Sequence, residues 1–229
     1  MANYYNEKVI SRFNEELKSA VNAVKAGTET KVRISNGNSK MGAVSSVSTL
    51  PFVTCPARCA KTCGRDCYAA KIANLYTNVR KSYAINTALA IHEPVLYWAQ
   101  IDAACKAVRY FRFHVSGDIL NKAYFENMVK CAENNPKTEM LCFTKRFEIV
   151  NAFIRNGGAI PENLHILFSG WSNLKPVNPY KLPETNVILK NQEPKDNWLV
   201  CGGNCFECAC RGVGCWQTKP GETVAFPIH

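Results

Sequence analysis

The fold is decided by residues 110–170, YFRFHVSGDILNKAYFENMVKCAENNPKTEMLCFTKRFEIVNAFIRNGGAIPENLHILFSG. Apolar runs typical of buried strands alternate here with amphipathic runs typical of helices. Strands are predicted at 110–115, 140–144 and 164–169, and helices at 121–134 and 147–156. Strands that alternate with helices favour an α/β fold with a parallel sheet or barrel.

The flanking sequence extends this pattern in both directions. The apolar spacing predicts an amphipathic helix at 6–25, and residues 28–38 are predicted as strand and turns. Toward the N-terminus, a strand is predicted at 41–50 and two helices within 68–108, with Pro94 in the first turn of the second helix. Toward the C-terminus, strands are predicted at 187–190 and 198–201. We therefore expect a partial (β/α) barrel of about six mostly parallel strands.

Three parts of the chain are distinguished by composition. Residues 1–40 are predicted to form an N-terminal helix and strand extension, and residues 41–200 the partial barrel. Residues 201–229 form a cysteine-rich tail, which we expect to bind metal and to pack on the barrel.

The overall composition is that of an ordinary globular protein. The chain has 229 residues, of which 47% are hydrophobic and 20% charged, and this excludes wholesale disorder. A membrane span needs about 20 apolar residues in a row. The sequence contains no such run and no apolar signal core near its start. We therefore expect a soluble protein of the cytoplasm with no membrane partner.

Basic residues outnumber acidic ones. Lysine and arginine total 28 against 18 aspartates and glutamates, which gives a net charge of +10. Such an excess is typical of proteins that bind nucleic acid or nucleotides, although it also promotes solubility alone. We retain nucleic acid or a nucleotide as the expected partner.

Twelve cysteines are the strongest compositional signal, and four of them form a first cluster in TCPARCAKTCGRDC, residues 54–67. Short spacings favour metal binding over disulfides in a chain without an export signal. Thiolates that converge in a loop suit an iron–sulfur cluster or zinc. The predicted ligands, at uniform four-residue spacing, are Cys55, Cys59, Cys63 and Cys67, and we expect Arg58, Lys61 and Arg65 to favour their thiolate forms.

A second cluster lies in CGGNCFECACRGVGCW, residues 201–216. A CxxC pair is a common two-ligand element of metal sites, and the glycines permit tight turns around it. The cluster has one cysteine more than a tetrahedral site needs. The predicted ligands are Cys201, Cys205, Cys208 and Cys215, with Cys210 as the substitute. Structural zinc and an auxiliary iron–sulfur cluster both fit, and both clusters are expected on one rim of the barrel.

Strand 110–115 runs into a small polar turn formed by Ser116, Gly117 and Asp118. Gly117 lets a ligand approach the backbone, and Asp118 is either a ligand-binding or catalytic carboxylate or the cap of the next helix. His114 fits a core position best. The segments 143–146 and 169–172 also end strands, so their polar groups are expected at the same edge.

These motifs resemble one known family. The segments GNSKMGAVSSVSTLP, TCPARCAKTCGRDCYAAK, FRFHVSGDIL, FTKR and CGGNCFECACRGVGCW look like the bacteriophage family labelled "gene product 88". The resemblance covers about residues 36–216.

More distantly, the layout is similar to that of the radical S-adenosylmethionine superfamily. That resemblance implies a [4Fe-4S] cluster on the first cysteine loop. It also implies that Ser116, Gly117 and Asp118 bind the amine of S-adenosylmethionine. The superfamily's usual loop is CxxxCxxC with an aromatic before the last cysteine, whereas here every gap is three residues and Tyr68 follows Cys67. Four thiolates would leave no open iron, so either one cysteine is a bystander or the radical chemistry is lost.

Three functions follow as alternatives. The first is a radical S-adenosylmethionine type of iron–sulfur enzyme that modifies a nucleic acid or nucleotide. The second is a non-catalytic nucleic-acid-binding protein with two structural zinc sites. The third is a zinc-stabilised base transferase with Asp118 as its nucleophile.

Overall fold

The computed structural model of the chain describes residues 3–190 and 192–228. Its helices alternate with strands over most of the chain. In chain order they are α1 (Glu7–Lys25), α2 (Tyr68–Leu75), α3 (Thr77–His92), α4 (Pro94–Lys106), α5 (Lys122–Asn134), α6 (Phe147–Arg155) and α7 (Cys205–Arg211). Short 3-10 helices lie at Ala57–Lys61 and Gly214–Trp216.

Eight strands form one sheet in the order β1-β2-β3-β4-β5-β6-β8-β7. They are β1 (Ile34–Ser35), β2 (Ser45–Val47), β3 (Tyr110–Phe113), β4 (Glu139–Thr144), β5 (Leu164–Ser169), β6 (Glu184–Ile188), β7 (Trp198–Val200) and β8 (Thr223–Pro227). Only the β1–β2 pair among these is antiparallel. The two edge strands, β1 and β7, are not paired with each other, so the sheet is open.

The two faces of the sheet are covered by different parts of the chain. Alternate residues of a strand point to opposite faces. Phe111 and Phe113 of β3 belong to the main core, which the helices α1 and α3 to α6 complete. Tyr110 of the same strand and Leu141 of β4 belong to a smaller core, which α7 and Trp216 cover. The cysteine-rich tail therefore closes the face that the helices leave open.

Local sequence signals account for the helix ends. The Asn6 side chain accepts a hydrogen bond from the Val9 N–H and caps α1, and Asn121 caps α5 through the Tyr124 N–H in the same way. Pro94 occupies the first turn of α4, where its missing N–H costs nothing. The left-handed Gly212 ends α7.

The expected mixed α/β class with a mostly parallel sheet is confirmed. The sheet has eight strands and not six, because β1 of the predicted extension and β8, which was not predicted, both join it. The predicted helical region 68–108 contains three helices, since the chain also breaks at Tyr76, and the strand predicted at 187–190 lies at 184–188. Curvature into a partial barrel and the three-part division stay predictions, and residues 1, 2, 191 and 229 lie outside the described residues.

Within the described ranges, no helix is both long enough and apolar enough to cross a membrane.

Candidate functional site

A cavity of about 260 Å³ opens at the carboxyl edge of the sheet, and we call it the cleft. Its walls come from the loops that follow β2 to β5 and from β6 and β8. The carboxyl ends of parallel strands are where open α/β sheets bind ligands. The side chains important below are Cys55, Cys59, Cys63, Cys67, Arg112, Ser116, Asp118, Lys145 and Trp171.

All four cysteines of the first cluster line the cleft, as their place after β2 predicts. The 3-10 helix Ala57–Lys61 carries Cys59, whose buried thiol forms hydrogen bonds with the thiols of Cys55 and Cys63. The hydrogen bond with Cys55, together with burial, raises the pKa of Cys59 above its ordinary value. The pKa of Cys63 is raised first by its hydrogen bond with Cys59 and then by burial. The raised pKa values favour the protonated thiols of Cys59 and Cys63, and metal binding to these two would release their protons.

Cys67 has a different local role from the other three. It is the N-cap of α2, and its Sγ accepts a hydrogen bond from the backbone N–H of Ala70 at 3.4 Å. Burial raises the pKa of Cys67 to about 11. Its sulfur is therefore engaged by the helix that follows the loop.

The cation that acts on these thiols is Lys145, at the end of β4. Its Nζ donates to the Ser169 Oγ at 2.6 Å and lies 5.8 Å from the centre of the Trp171 ring. Its charge lowers the pKa of Cys59, although by less than the neighbouring thiol raises it. Of the basic residues in the loop, Arg58 pairs with Glu148 at 2.7 Å. The expected effect of Arg58, Lys61 and Arg65 on the thiols stays a prediction.

The polar turn after β3 lies in the cleft wall, as predicted, but Asp118 is directed at the protein. Its carboxylate accepts hydrogen bonds from the Thr144 hydroxyl at 2.6 Å, the Lys145 N–H at 2.9 Å and the Ile119 N–H at 2.8 Å. Burial raises the pKa of this carboxyl above its ordinary value. Asp118 thus joins the turn to the end of β4. The alternative that it caps the next helix is wrong, because Asn121 does so.

Ser116 and Gly117 form the rest of that turn, and both line the cleft. Ser116 is 2% exposed, lines the cleft, and its Oγ has no hydrogen-bond partner among the described residues. Gly117 has a φ of +82°, and a Cβ there would lie 2.0 Å from the Thr49 Oγ1. Only glycine fits this close approach of the loop after β2.

His114 is a core residue, as expected. Its ring is buried, with Nε2 3.1 Å from the Tyr124 hydroxyl and Nδ1 3.7 Å from the Cys142 Sγ. Tyr124 in turn lies 2.9 Å from the Tyr97 hydroxyl. Burial lowers the pKa of His114 to about 3. Its φ of +56° is uncommon for a residue with a side chain and holds the strand end in a sharp turn.

The cysteines of the second cluster are not among the residues that line the cleft, although Cys205 lies 3.5 Å from the Nη1 of Arg112 in the cleft wall. The expectation that both clusters share one rim stays a prediction. Cys201, Cys205, Cys208 and Cys215 pack against the smaller core around Trp216. Trp216 is 3% exposed and donates its Nε1–H to the Cys205 carbonyl at 3.0 Å. Burial raises the pKa of Cys215 to about 12.

Cys210 is the exposed cysteine of the tail. It does not belong to the smaller core that the other four thiols contact. The choice of the other four thiols as metal ligands stays a prediction.

Arg112 is the cleft residue that sequence reasoning missed. It lies in the middle of β3, its guanidinium carbon is 4.6 Å from the centre of the Phe143 ring, and its Nη1 is 3.5 Å from the Cys205 Sγ. The available signal was a charge inside the aromatic run Tyr-Phe-Arg-Phe of residues 110–113.

The thiols that could bind a metal are present, but the described residues do not arrange them as metal ligands. All twelve cysteines are free thiols. Among the residues that the structure describes, no three histidine, cysteine, aspartate or glutamate side chains are arranged as a metal site.

Comparison with known proteins gives a family. The model of the family described as "Gene product 88" matches residues 9–213, which include the first cluster, the polar turn and most of the second cluster. No curated protein matches the chain. No solved structure matches it either.

Proposed function

The chain belongs to the Gene product 88 family, and we propose that it is an iron–sulfur enzyme of the radical S-adenosylmethionine type that modifies a nucleic acid or nucleotide. One observation carries this proposal. The thiols of the first cluster form one wall of an open cleft at the carboxyl edge of a parallel sheet. A purely structural metal site is closed by its ligands, whereas a catalytic one keeps open space beside the metal.

The donor set suits an iron–sulfur cluster. Cys59 contacts both Cys55 and Cys63, so one thiol lies between two further sulfur donors, and the three would have to converge to bind a metal. Lys145 supplies a nearby positive charge that favours the thiolates a metal requires. Cys55, Cys59 and Cys63 would hold a [4Fe-4S] cluster, which supplies one electron to a bound cofactor.

Cys67 is the proposed bystander among the four thiols. Its sulfur accepts the Ala70 N–H and caps α2, which gives it a structural role that the other three lack. A three-thiolate cluster leaves one iron open for a ligand. This assignment resolves the conflict between a four-cysteine loop and an open coordination position.

The residues of the polar turn fit a polar cofactor. Ser116 has a buried hydroxyl in the cleft wall that forms no hydrogen bond with any described group. Buried polar atoms nearly always have a hydrogen-bond partner, so this hydroxyl is available to a ligand or a water molecule. We propose that Ser116 and the backbone at Gly117 bind the amine of S-adenosylmethionine. Asp118 positions them, because its carboxylate fixes the turn to Thr144 and Lys145.

The second cluster is proposed to hold structural zinc. Its four thiols are packed against Trp216 and lie outside the cleft. Zinc ligands of this kind clamp short loops that cannot form a core alone.

The test compares two serine substitutions in protein purified without oxygen. We expect wild-type protein to contain iron and sulfide and to show a broad absorption band near roughly 400 nm. Cys59→Ser should lose more than about 80% of the iron, because Cys59 is the central thiol of the group. Cys67→Ser should keep iron within about 20% of wild type, because serine is itself a good N-cap.

Two results would contradict the proposal. Colourless wild-type protein with about two zinc ions would replace it with the zinc-held nucleic-acid-binding protein. Equal loss of iron in both variants would instead place four thiolates on the cluster and remove the open iron. The cofactor assignment is tested separately, by calorimetric titration of coloured protein with S-adenosylmethionine. Ser116→Ala is expected to weaken this binding about tenfold.

A further inference from the structure

Arg112 is a half-buried cation to which no ion pair among the described residues gives an anionic partner. Its Nε is shielded from solvent and has no hydrogen-bond acceptor among the described residues. The contacts of its guanidinium are a thiol, the Cys205 Sγ at 3.5 Å, and an aromatic face, that of Phe143. Neither neutralises the charge unless the thiol ionises.

Such an arrangement is costly unless something else binds there. A guanidinium has five N–H donors and no acceptor, and it is charged at every pH at which proteins are folded. Taking it out of water without an acceptor is unfavourable. Because Arg112 lines the cleft, its free donors are available to a molecule that enters from that side.

The other charged groups of the cleft do not serve as its partner. Asp118 accepts from Thr144, Ile119 and the Lys145 backbone, and no described ion pair links it to Arg112. Asp66 also lines the cleft, again without a described ion pair. Lys145, the second cation of the described lining, donates to Ser169.

We propose that Arg112 binds an anionic oxygen group, a phosphate or a carboxylate, on the molecule that the cleft receives as substrate. The planar fork of a guanidinium matches both groups with two parallel hydrogen bonds. Phe143 supports one face of the fork, and Cys205 fixes one of its ends. The inference extends the proposed function by giving the substrate a charged group, yet its binding site requires no metal.

The contact between Arg112 and Cys205 connects the second cluster to the cleft. Cys205 lies at the start of α7 and contacts Arg112 from the covered face of the sheet. The tail thereby orients the residue that receives the anion. Arg112 is thus a binding residue, and Cys205 is a positioning residue.

The test is calorimetric titration of the purified full chain with inorganic phosphate and, separately, with acetate, at one ionic strength set with chloride. We expect saturable binding of at least one anion. Arg112→Gln should weaken that binding at least about tenfold, since a charge-assisted pair of hydrogen bonds is lost. The anion that binds with the higher affinity identifies the substrate group that Arg112 receives as a phosphate or a carboxylate.

Arg109→Gln is the matched control. Arg109 lies just before β3, is exposed, and stacks on the Tyr110 ring, so its substitution removes the same charge outside the cleft. Binding should stay within about twofold of wild type. If Arg112→Gln fails to fold, Arg112→Lys retains the charge but loses the fork, and it should weaken binding about threefold or more.

Two outcomes would overturn the inference. One is the absence of saturable binding of either anion by wild-type protein. The other is equal binding by the wild type, Arg112→Gln and Arg109→Gln, which would mean that the charge serves the Cys205 sulfur alone. Iron and sulfide measured on the same samples keep this result separate from the proposed chemistry, because anion binding is expected whether or not iron is present.

Discussion

The two cysteine clusters resemble each other in sequence but occupy different environments. The first borders an open cleft, and its thiols contact one another. The second packs against a small aromatic core beneath α7. Each lies near one cation, the buried Lys145 for the first cluster and the half-buried Arg112 for the second.

Under the proposed function, the surroundings of the two clusters, more than their cysteine spacing, separate a reactive site from a structural one. An open wall gives space for a ligand beside the thiols. A packed wall contributes instead to the free energy of unfolding, because it removes apolar surface from water. The comparison predicts that substitutions near the second cluster change stability, and that substitutions near the first change binding and metal content.

The largest expected effect tests the packed region. Trp216→Ala should lower the free energy of unfolding by about 3–5 kcal/mol, since a buried indole leaves a cavity. Trp171→Ala, which removes the same side chain from the cleft wall, should cost less than about 1.5 kcal/mol. Urea denaturation of both variants checks this. Equal losses would erase the distinction between the two regions.

An intermediate effect tests the cleft region through pH. His114 has a pKa lowered to about 3 from an ordinary 6.5, because the folded protein buries it. Below pH 6.5 the unfolded chain therefore binds a proton that the folded chain does not, and stability falls as the pH drops. At pH 7 the effect is absent.

His114→Asn, whose new side chain tolerates the positive φ, should remove this dependence. Between pH 6 and pH 5 the wild type should lose about 1 kcal/mol more stability than the variant. Urea denaturation at both pH values measures the difference. Identical losses would mean that His114 is protonated in the folded protein.

The smallest expected effect sharpens the assignment within the second cluster. Cys210 is exposed, so Cys210→Ser should change stability by less than about 0.5 kcal/mol and leave the zinc content unchanged. Cys208→Ser removes a thiol that packs on the smaller core, and it should lose the zinc of that site. Zinc analysis and thermal unfolding compare the pair. Zinc loss in Cys210→Ser alone would move the ligand assignment to Cys210.

The sequence predicted those parts of the fold that local patterns determine. β5 and α5 have clear boundaries because apolar runs end at polar turns, and Asn121 is a recognisable cap. β8 was missed because a five-residue strand that ends in Pro227 follows a cysteine-rich stretch without helical or alternating rhythm. The break at Tyr76 has no glycine or proline to indicate it.

The candidate site was predictable to the extent that it follows strand ends. The placement of the first cluster and of Ser116 in one cleft needed only the rule that parallel strands end at the same edge. The position of the second cluster depends on where the tail docks, which is a long-range contact. Arg112 was missed for the same reason, since its partner Cys205 lies 93 residues away.

The place of β8 in the sheet sets an order of assembly during synthesis. β8 is an interior strand between β6 and β7, and the Cys201 N–H donates to Ala225 of β8. A ribosome delivers residues 34–188 first, so β1 to β6 can pair, with the first cysteine cluster beside them, while the tail still has no neighbouring strand. Only after residues 223–227 emerge can β7 pair in the sheet and the cleft wall gain Phe226 and Pro227. The half of the sheet next to the first cluster would therefore form before the half next to the second.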